Sequence, residues 1–185
     1  MGVDIRFFDL DHPFMWTVPG VLSPTECAAL VANAEASAEW LPGTINGAEG
    51  RVVRRDIRNN SVALLDDTAL GAALLEWVRA PARMSGRTLA GMKERLRIYR
   101  YEPGEMFGLH RDQKYRGPNG ERSELALLLY LNEGFEGGHT VFPELREDIA
   151  PRTGTAVVFQ NMTLHAGEPV TSGTRYVLRG DVFYG

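Results

Sequence analysis

One cysteine in 185 residues, Cys27, excludes an internal disulfide framework and gives no support for export to an oxidising compartment. It falls in an apolar stretch with helical spacing, where a small buried thiol is expected. Uninterrupted apolar runs are also missing: none approaches the roughly twenty residues needed to cross a bilayer. The N-terminus carries Asp4, Asp9 and Asp11 where a signal peptide has a basic start. No excess of positive charge is present either. Twenty basic against 24 acidic residues leave a formal charge of -4, so the chain as a whole has no nucleic-acid footprint. Repeats and low-complexity segments are absent. What remains is ordinary globular composition, 44% hydrophobic and 24% charged, at a length that suits one domain over residues 1–185. A cytoplasmic protein with no membrane or nucleic-acid partner is the expectation; oligomeric state is not legible.

The two halves differ in texture. Residues 1 to about 90 carry the helix signals and are expected to form helical support. Phe14–Val18 followed by Pro19-Gly20 reads as a strand and a turn. Ser23-Pro24-Thr25-Glu26 combines a capping hydroxyl, proline at the first helical position and glutamate three residues on, so a helix is expected from Pro24 to about Ala36. A second helix is predicted after Asp66-Asp67, with Leu70, Ala73, Leu74, Trp77 and Val78 on its buried face. The stretch from Arg51 to Leu64 reads as extended. From about 94 onward the chain alternates as short strands. Leu96 and Ile98 share one face of a strand and Tyr99 and Tyr101 the other, and Leu125–Leu131 is an apolar run of strand length. Further strands are expected near 140–142, 156–159 and 176–183. The fold class is therefore α+β: a jelly-roll-like β-core behind N-terminal flanking helices.

Only four histidines occur: His12, His110, His139 and His165. His110 and Asp112 stand two apart at a strand or strand end, so an imidazole and a carboxylate project from the same face. Alone, His-x-Asp is a weak signal that also describes a hydrogen-bonded surface pair. His165, shortly after the apolar strand Ala156–Phe159, supplies a third ligand. Two histidines and one carboxylate form the facial triad of non-haem iron(II) oxygenases, which leaves three coordination positions open. A chelating 2-oxoacid fills two of them and dioxygen the last. A five-carbon diacid needs its far carboxylate held as well. Arg175, ten residues after His165 and opening an apolar strand, offers the planar fork for that task.

Tyr101-Glu102-Pro103-Gly104 through His110-Arg111-Asp112, then Leu129-Tyr130-Leu131-Asn132, Gly137–Pro143, His165–Val170 and Gly173-Thr174-Arg175-Tyr176 occur in order. Together they resemble the prolyl 4-hydroxylase-like family of 2-oxoglutarate/iron(II) dioxygenases over roughly residues 94–184, with weaker similarity back through Arg58-Asn59-Asn60. The resemblance implies a double-stranded β-helix fold, with iron(II) on His110, Asp112 and His165. It implies 2-oxoglutarate as co-substrate, with its distal carboxylate on Arg175 and the Tyr130 hydroxyl, Tyr101 lining the pocket, dioxygen as oxidant and ascorbate as a candidate reductant. The implied reaction converts 2-oxoglutarate to succinate and carbon dioxide and puts a hydroxyl on an unactivated carbon. His139 stands where the family usually has glutamate, so it is read as a hydrogen-bonded or surface histidine.

Arg51, Arg54, Arg55 and Arg58 form a basic cluster, read either as a solvated face or as a clamp for an acidic substrate; Arg54, Arg55 and Arg58 are the substrate candidates. The 113–122 loop is either a hairpin loop or a lid, with the lid preferred. A small molecule, an amino acid or a natural-product intermediate, is favoured as substrate over a prolyl or other protein side chain, because no peptide-binding extension is visible. Two rival classes remain. A zinc hydrolase on the same three ligands leaves Arg175 and Tyr130 without a purpose. A non-catalytic metal-binding sandwich would tolerate loss of Arg175.

Overall fold

The computed structural model describes residues 8–79, 87–92, 95–117 and 119–185. Asp4 of the acidic N-terminus and Pro118 of the 113–122 loop lie outside the described residues. The described residues are mostly β, with two helices. The first helix, Pro24–Ser37, starts on the capping box: the Glu26 N–H donates to Ser23 Oγ at 3.3 Å, and the Ser23 N–H donates to the Glu26 carboxylate at 2.8 Å. Such a cap is worth about 1 kcal/mol. Cys27 is fully buried inside this helix and free, and burial raises its thiol pKa.

The second helix, Thr68–Arg79, is capped by Asp67, whose carboxylate accepts the Leu70 N–H at 2.8 Å. Its buried face is Gly71, Leu74, Leu75 and Val78, rotated by one residue from the expected one. Ala73 and Trp77 face outward, and Trp77 is 50% exposed. Positions 71, 74, 75 and 78 make a complete i, i+3, i+4, i+7 stripe, and Leu75 takes the core place assigned to the tryptophan. No described helix is long and apolar enough to cross a membrane.

The larger sheet is antiparallel throughout and runs Met15–Val18, Ala156–Gln160, Arg122–Tyr130, Arg175–Tyr184, Arg95–Tyr101, Ser61–Asp66, Leu41–Pro42, with Leu89–Met92 on the far end of 175–184. The smaller sheet runs Glu147–Ile149, Thr140–Phe142, Leu164–Gly167, Phe107–Arg111. The N-terminal half thus supplies more than helical support. Between the helices, Ser61–Asp66 pairs with Arg95–Tyr101, and Ile45–Gly47 forms a hairpin with Gly50–Val52.

Period-two alternation sorts the larger sheet into two cores. Leu96, Ile98, Leu125, Leu127 and Leu129 pack with Leu74 and Val78 on the helix side. Tyr99, Tyr101, Ala126, Leu128, Tyr130 and Val177 point the other way and meet Phe142 of the smaller sheet. The candidate site lies in this second layer, where a core of tyrosines replaces one of leucines.

Candidate metal and co-substrate site

His110 lies on Phe107–Arg111 and His165 on Leu164–Gly167, and the antiparallel register makes them direct cross-strand partners. Their rings stand 4.2 Å apart, centroid to centroid. Asp112 follows the end of the first strand, and its carboxylate reaches both imidazoles: Oδ1 is 3.7 Å from His110 Nε2 and Oδ2 is 3.7 Å from His165 Nε2. One ligand atom from each residue falls within 4.8 Å of the others. Arg111, between the two, turns to the opposite face and pairs with Glu144 at 3.0 Å.

Two backbone carbonyls set the tautomers. His110 Nδ1 donates to the Gly108 carbonyl at 2.8 Å and His165 Nδ1 to the Thr163 carbonyl at 3.0 Å. A carbonyl only accepts, so both protons sit on Nδ1 and both Nε2 lone pairs turn inward. Phe107 stacks on His110 at 3.5 Å, and Phe142 and Phe159 enclose His165. The turn before His165 is fastened to the Asp112 segment: Met162, with φ of 77°, donates its N–H to the Asp112 carbonyl at 2.9 Å. A methionine in the left-handed region costs on the order of 1 kcal/mol, and this tie between the two ligand segments offsets it.

Electrostatics favour three cation-ready ligands. Burial opposes ionisation of Asp112, but Arg179, donating to Oδ2 at 2.7 Å, holds the carboxyl well below the usual carboxylate range. Burial, then the neighbouring His165, pushes His110 down to about 3. Burial lowers His165 too. An unfolded chain protonates such imidazoles near 6.5, so between pH 6.5 and about 3 the unfolded state of the metal-free protein binds more protons. Stability of the metal-free protein is therefore expected to fall as pH drops through that window. Melting temperatures from pH 7 to 4 check the sign, and His110→Gln is expected to flatten the slope. A level wild-type profile would contradict neutral imidazoles.

The same cavity extends from the triad to Arg175 and is lined further by Tyr99, Tyr101, Thr140, Gly167 and Arg179. Arg175 is 2% exposed, and its guanidinium lies 4.9 Å from the Tyr101 ring centroid and 5.6 Å from that of Tyr130. Nη2 donates to Thr140 Oγ1 at 3.0 Å, while Nε and Nη1 are buried with no partner among the described residues. An orphaned buried guanidinium is expensive unless an anion completes it. Gly167 keeps the approach open, since a Cβ there would come within 3.0 Å of Nη1. The Tyr130 hydroxyl bonds Thr140 Oγ1 at 2.8 Å, beside the same guanidinium. Burial raises the pKa of Tyr101 and of Tyr130, so both stay neutral donors. A diacid with one end on a metal and the other on Arg175 fits these groups.

Other expected residues separate. Arg58 turns inward and is buried. Arg54 is exposed and bonded to Asp56 at 2.6 Å, Arg55 is exposed, and neither lines the cavities at the triad. His139 lies at the surface and donates to Asp148 at 2.7 Å. The described part of the 113–122 loop is tied to the strand that follows: the Tyr115 N–H donates to Ser123 Oγ at 2.7 Å, and Lys114 pairs with buried Glu124. Sequence reasoning missed Thr140, Tyr99 and Arg179. Arg179 had a usable signal: Arg175, Val177, Arg179 and Asp181 alternate along one strand and so share its inner face.

The profile described as the 2OG-Fe(II) oxygenase superfamily matches residues 96–180. A protein of Acanthamoeba polyphaga mimivirus named as a prolyl 4-hydroxylase is 35% identical over 103 residues, 45% of this chain and 42% of that one. A PKHD-type hydroxylase of Klebsiella pneumoniae is 30% identical over 170 residues, 87% of this chain and 75% of that one. Among solved structures, a Pseudomonas putida prolyl-4-hydroxylase superposes with a TM-score of 0.68 at 21% identity, covering 94% of both chains. A Trichoplax adhaerens prolyl hydroxylase, bound to a peptide of a hypoxia inducible factor, superposes with a TM-score of 0.70 at 18% identity, covering 98% of this chain and 88% of that one. Matched at this level over three-quarters of a PKHD-type hydroxylase, this chain belongs to the 2OG-Fe(II) oxygenase superfamily and is an iron(II)- and 2-oxoglutarate-dependent dioxygenase.

Proposed function

We propose that the chain is one catalytic domain of jelly-roll type that hydroxylates an unactivated carbon, with His110, Asp112 and His165 holding iron(II) and Arg175 holding the distal carboxylate of 2-oxoglutarate. The observation that carries this reading is the buried Arg175, with two unpartnered nitrogens, in the same cavity as three converged ligand groups. Iron(II) held there supplies oxygen activation, coupled to conversion of 2-oxoglutarate into succinate and carbon dioxide.

The chain's own groups do the positioning. Gly108 and Thr163 carbonyls orient the imidazoles. Arg179 occupies one oxygen of Asp112, so Oδ1 is the oxygen that would hold the metal. Tyr130 and Thr140 form a short hydroxyl chain that meets the anion beside Arg175. Phe107 covers one face of His110, and Phe142 and Phe159 shield the buried His165 from water. A zinc hydrolase has no use for a buried cation at that place, and a non-catalytic module has none for the cavity.

The substrate we favour is a small molecule of amino-acid type. A prolyl residue in a peptide is the second reading, supported by the prolyl hydroxylases among the structural neighbours and by the peptide bound to one of them. Succinate release screened over free amino acids and prolyl peptides, with anaerobic controls, tests both. Oxygen-independent turnover would overturn the dioxygenase reading.

A further inference from the structure

A second cavity, about 270 Å³, is lined by His110 and Asp112 together with Arg51, Arg58, Arg97, Tyr99, Phe107 and Arg179. Its charges do not balance. Arg97 and Arg179 share Asp181, and Arg179 also holds Asp112, so these two cations are matched. Arg58 and Arg51 have no carboxylate partner among the described residues.

Arg58 is the informative one, because it is only 7% exposed. Nε donates to Asn60 Oδ1 at 2.7 Å and Nη1 to the Thr44 carbonyl at 3.0 Å, both neutral acceptors, and Nη2 has no partner among the described residues. The guanidinium lies 4.3 Å from the Phe107 ring centroid and 4.7 Å from that of Tyr99. Cation–π contact offsets part of the lost hydration and does not neutralise the charge. Phe107 in turn stacks on His110, so one aromatic ring separates this cation from a ligand imidazole. Around Tyr99, burial would raise the phenol pKa, yet Arg97, Arg179 and Arg58 together lower it, a sign of the positive potential on this wall. Arg51, exposed on the short strand Gly50–Val52, stands on the same lining.

We infer that this cavity is a subsite for an organic carboxylate: the substrate is an acid gripped by Arg58, with Arg51 at the rim, and its target carbon lies beside His110 and Asp112. The proposal rests on the metal-site reading above and adds the substrate's chemical class. A cavity of this size, just below the usual range of small-molecule sites, suits a free amino acid or similar small acid better than a folded partner. The same carboxylate chemistry is offered by an acidic or terminal residue of a peptide.

The test uses the whole protein loaded with Mn(II) and saturating 2-oxoglutarate, and reads paramagnetic relaxation of the protons of butyrate against those of butyramide. Butyrate is expected to relax about tenfold more strongly than the amide, the range set by one charged hydrogen bond. Arg58→Met is expected to bring butyrate down to the amide level, Arg58→Lys to retain most of the effect, and Arg51→Met to reduce it partly. Equal relaxation of acid and amide in the wild type overturns the proposal with no variant needed. Undiminished relaxation in a folded Arg58→Met protein does so too. Failure to bind Mn(II) at all would instead remove the metal site, and this proposal with it. Succinate release with free amino acids, their carboxamides, and capped peptides with and without aspartate then separates the two sources of carboxylate; amides that serve as well as acids would count against both.

Discussion

His165→Ala is expected to weaken ferrous ion binding on the order of a hundredfold or more and to abolish substrate-dependent succinate release. Changes to groups that merely orient a ligand already cost about 10–100-fold in metal affinity, and this substitution removes a ligand outright. The loss is expected to exceed that of a simple core truncation for a structural reason. His165 is 3% exposed, wedged between Phe142 and Phe159, and directly opposite His110 across the strand pair. Removing the imidazole takes away one of three converging groups and leaves Asp112 committed to Arg179 through Oδ2. His165→Gln fills more of the space and separates packing from ligation: it should restore melting temperature without restoring affinity. His110→Ala is expected to behave alike, with a smaller packing loss. Calorimetric titration with iron(II) under anaerobic conditions reads the affinity. Tight stoichiometric iron in either alanine variant would remove that histidine from the metal site.

Arg175→Ala is expected to raise the 2-oxoglutarate requirement on the order of a hundredfold or more, since two charged hydrogen bonds worth about 1.5–3 kcal/mol each are lost together. The effect should fall on the Michaelis constant for 2-oxoglutarate and leave iron affinity close to wild type, because Arg175 contacts Thr140 and two aromatic rings rather than the triad. Arg175→Lys retains charge and loses the planar fork, so it should be much milder. A lysine variant as impaired as alanine would mean that fork geometry outweighs charge. An unchanged requirement in the alanine variant would remove Arg175 from the co-substrate site. Thr140 offers a finer probe: it bridges Arg175 and Tyr130, so Thr140→Val is expected to raise the same constant modestly.

The sequence carried the core strands of the second half and their facing, whereas the stretch from Arg51 to Leu64, read as extended, breaks at a turn between Gly50–Val52 and Ser61–Asp66. Leu96 and Ile98 against Tyr99 and Tyr101 is a period-two pattern, and the two sets went to different cores as alternation demands. The first helix was legible to within a residue because Ser23, Pro24 and Glu26 act on the nearest backbone, where no distant contact intervenes. The second helix was legible in position and not in rotation. Both candidate faces are apolar, and only packing against the sheet selected Leu75 over Trp77. Motif order across residues 94–184 brought His110, Asp112, His165 and Arg175 to attention, since each stands in a local pattern that a chain can be scanned for.

Outside those motif residues, contacts that depend on two distant segments meeting were hidden. Arg58 and Arg54 are alike in sequence and four residues apart; one is buried between aromatic rings and the other is spent on Asp56 at the surface. The link from Arg179 to Asp112 spans 67 positions and the link from Arg175 to Thr140 spans 35. By itself, then, the sequence determined the strand periods, the first helix and the residue types able to bind a metal and a diacid. Tertiary structure alone decided which guanidiniums are neutralised and which stay open. Charge pairing is set by distance through space, and local chain patterns carry no record of it.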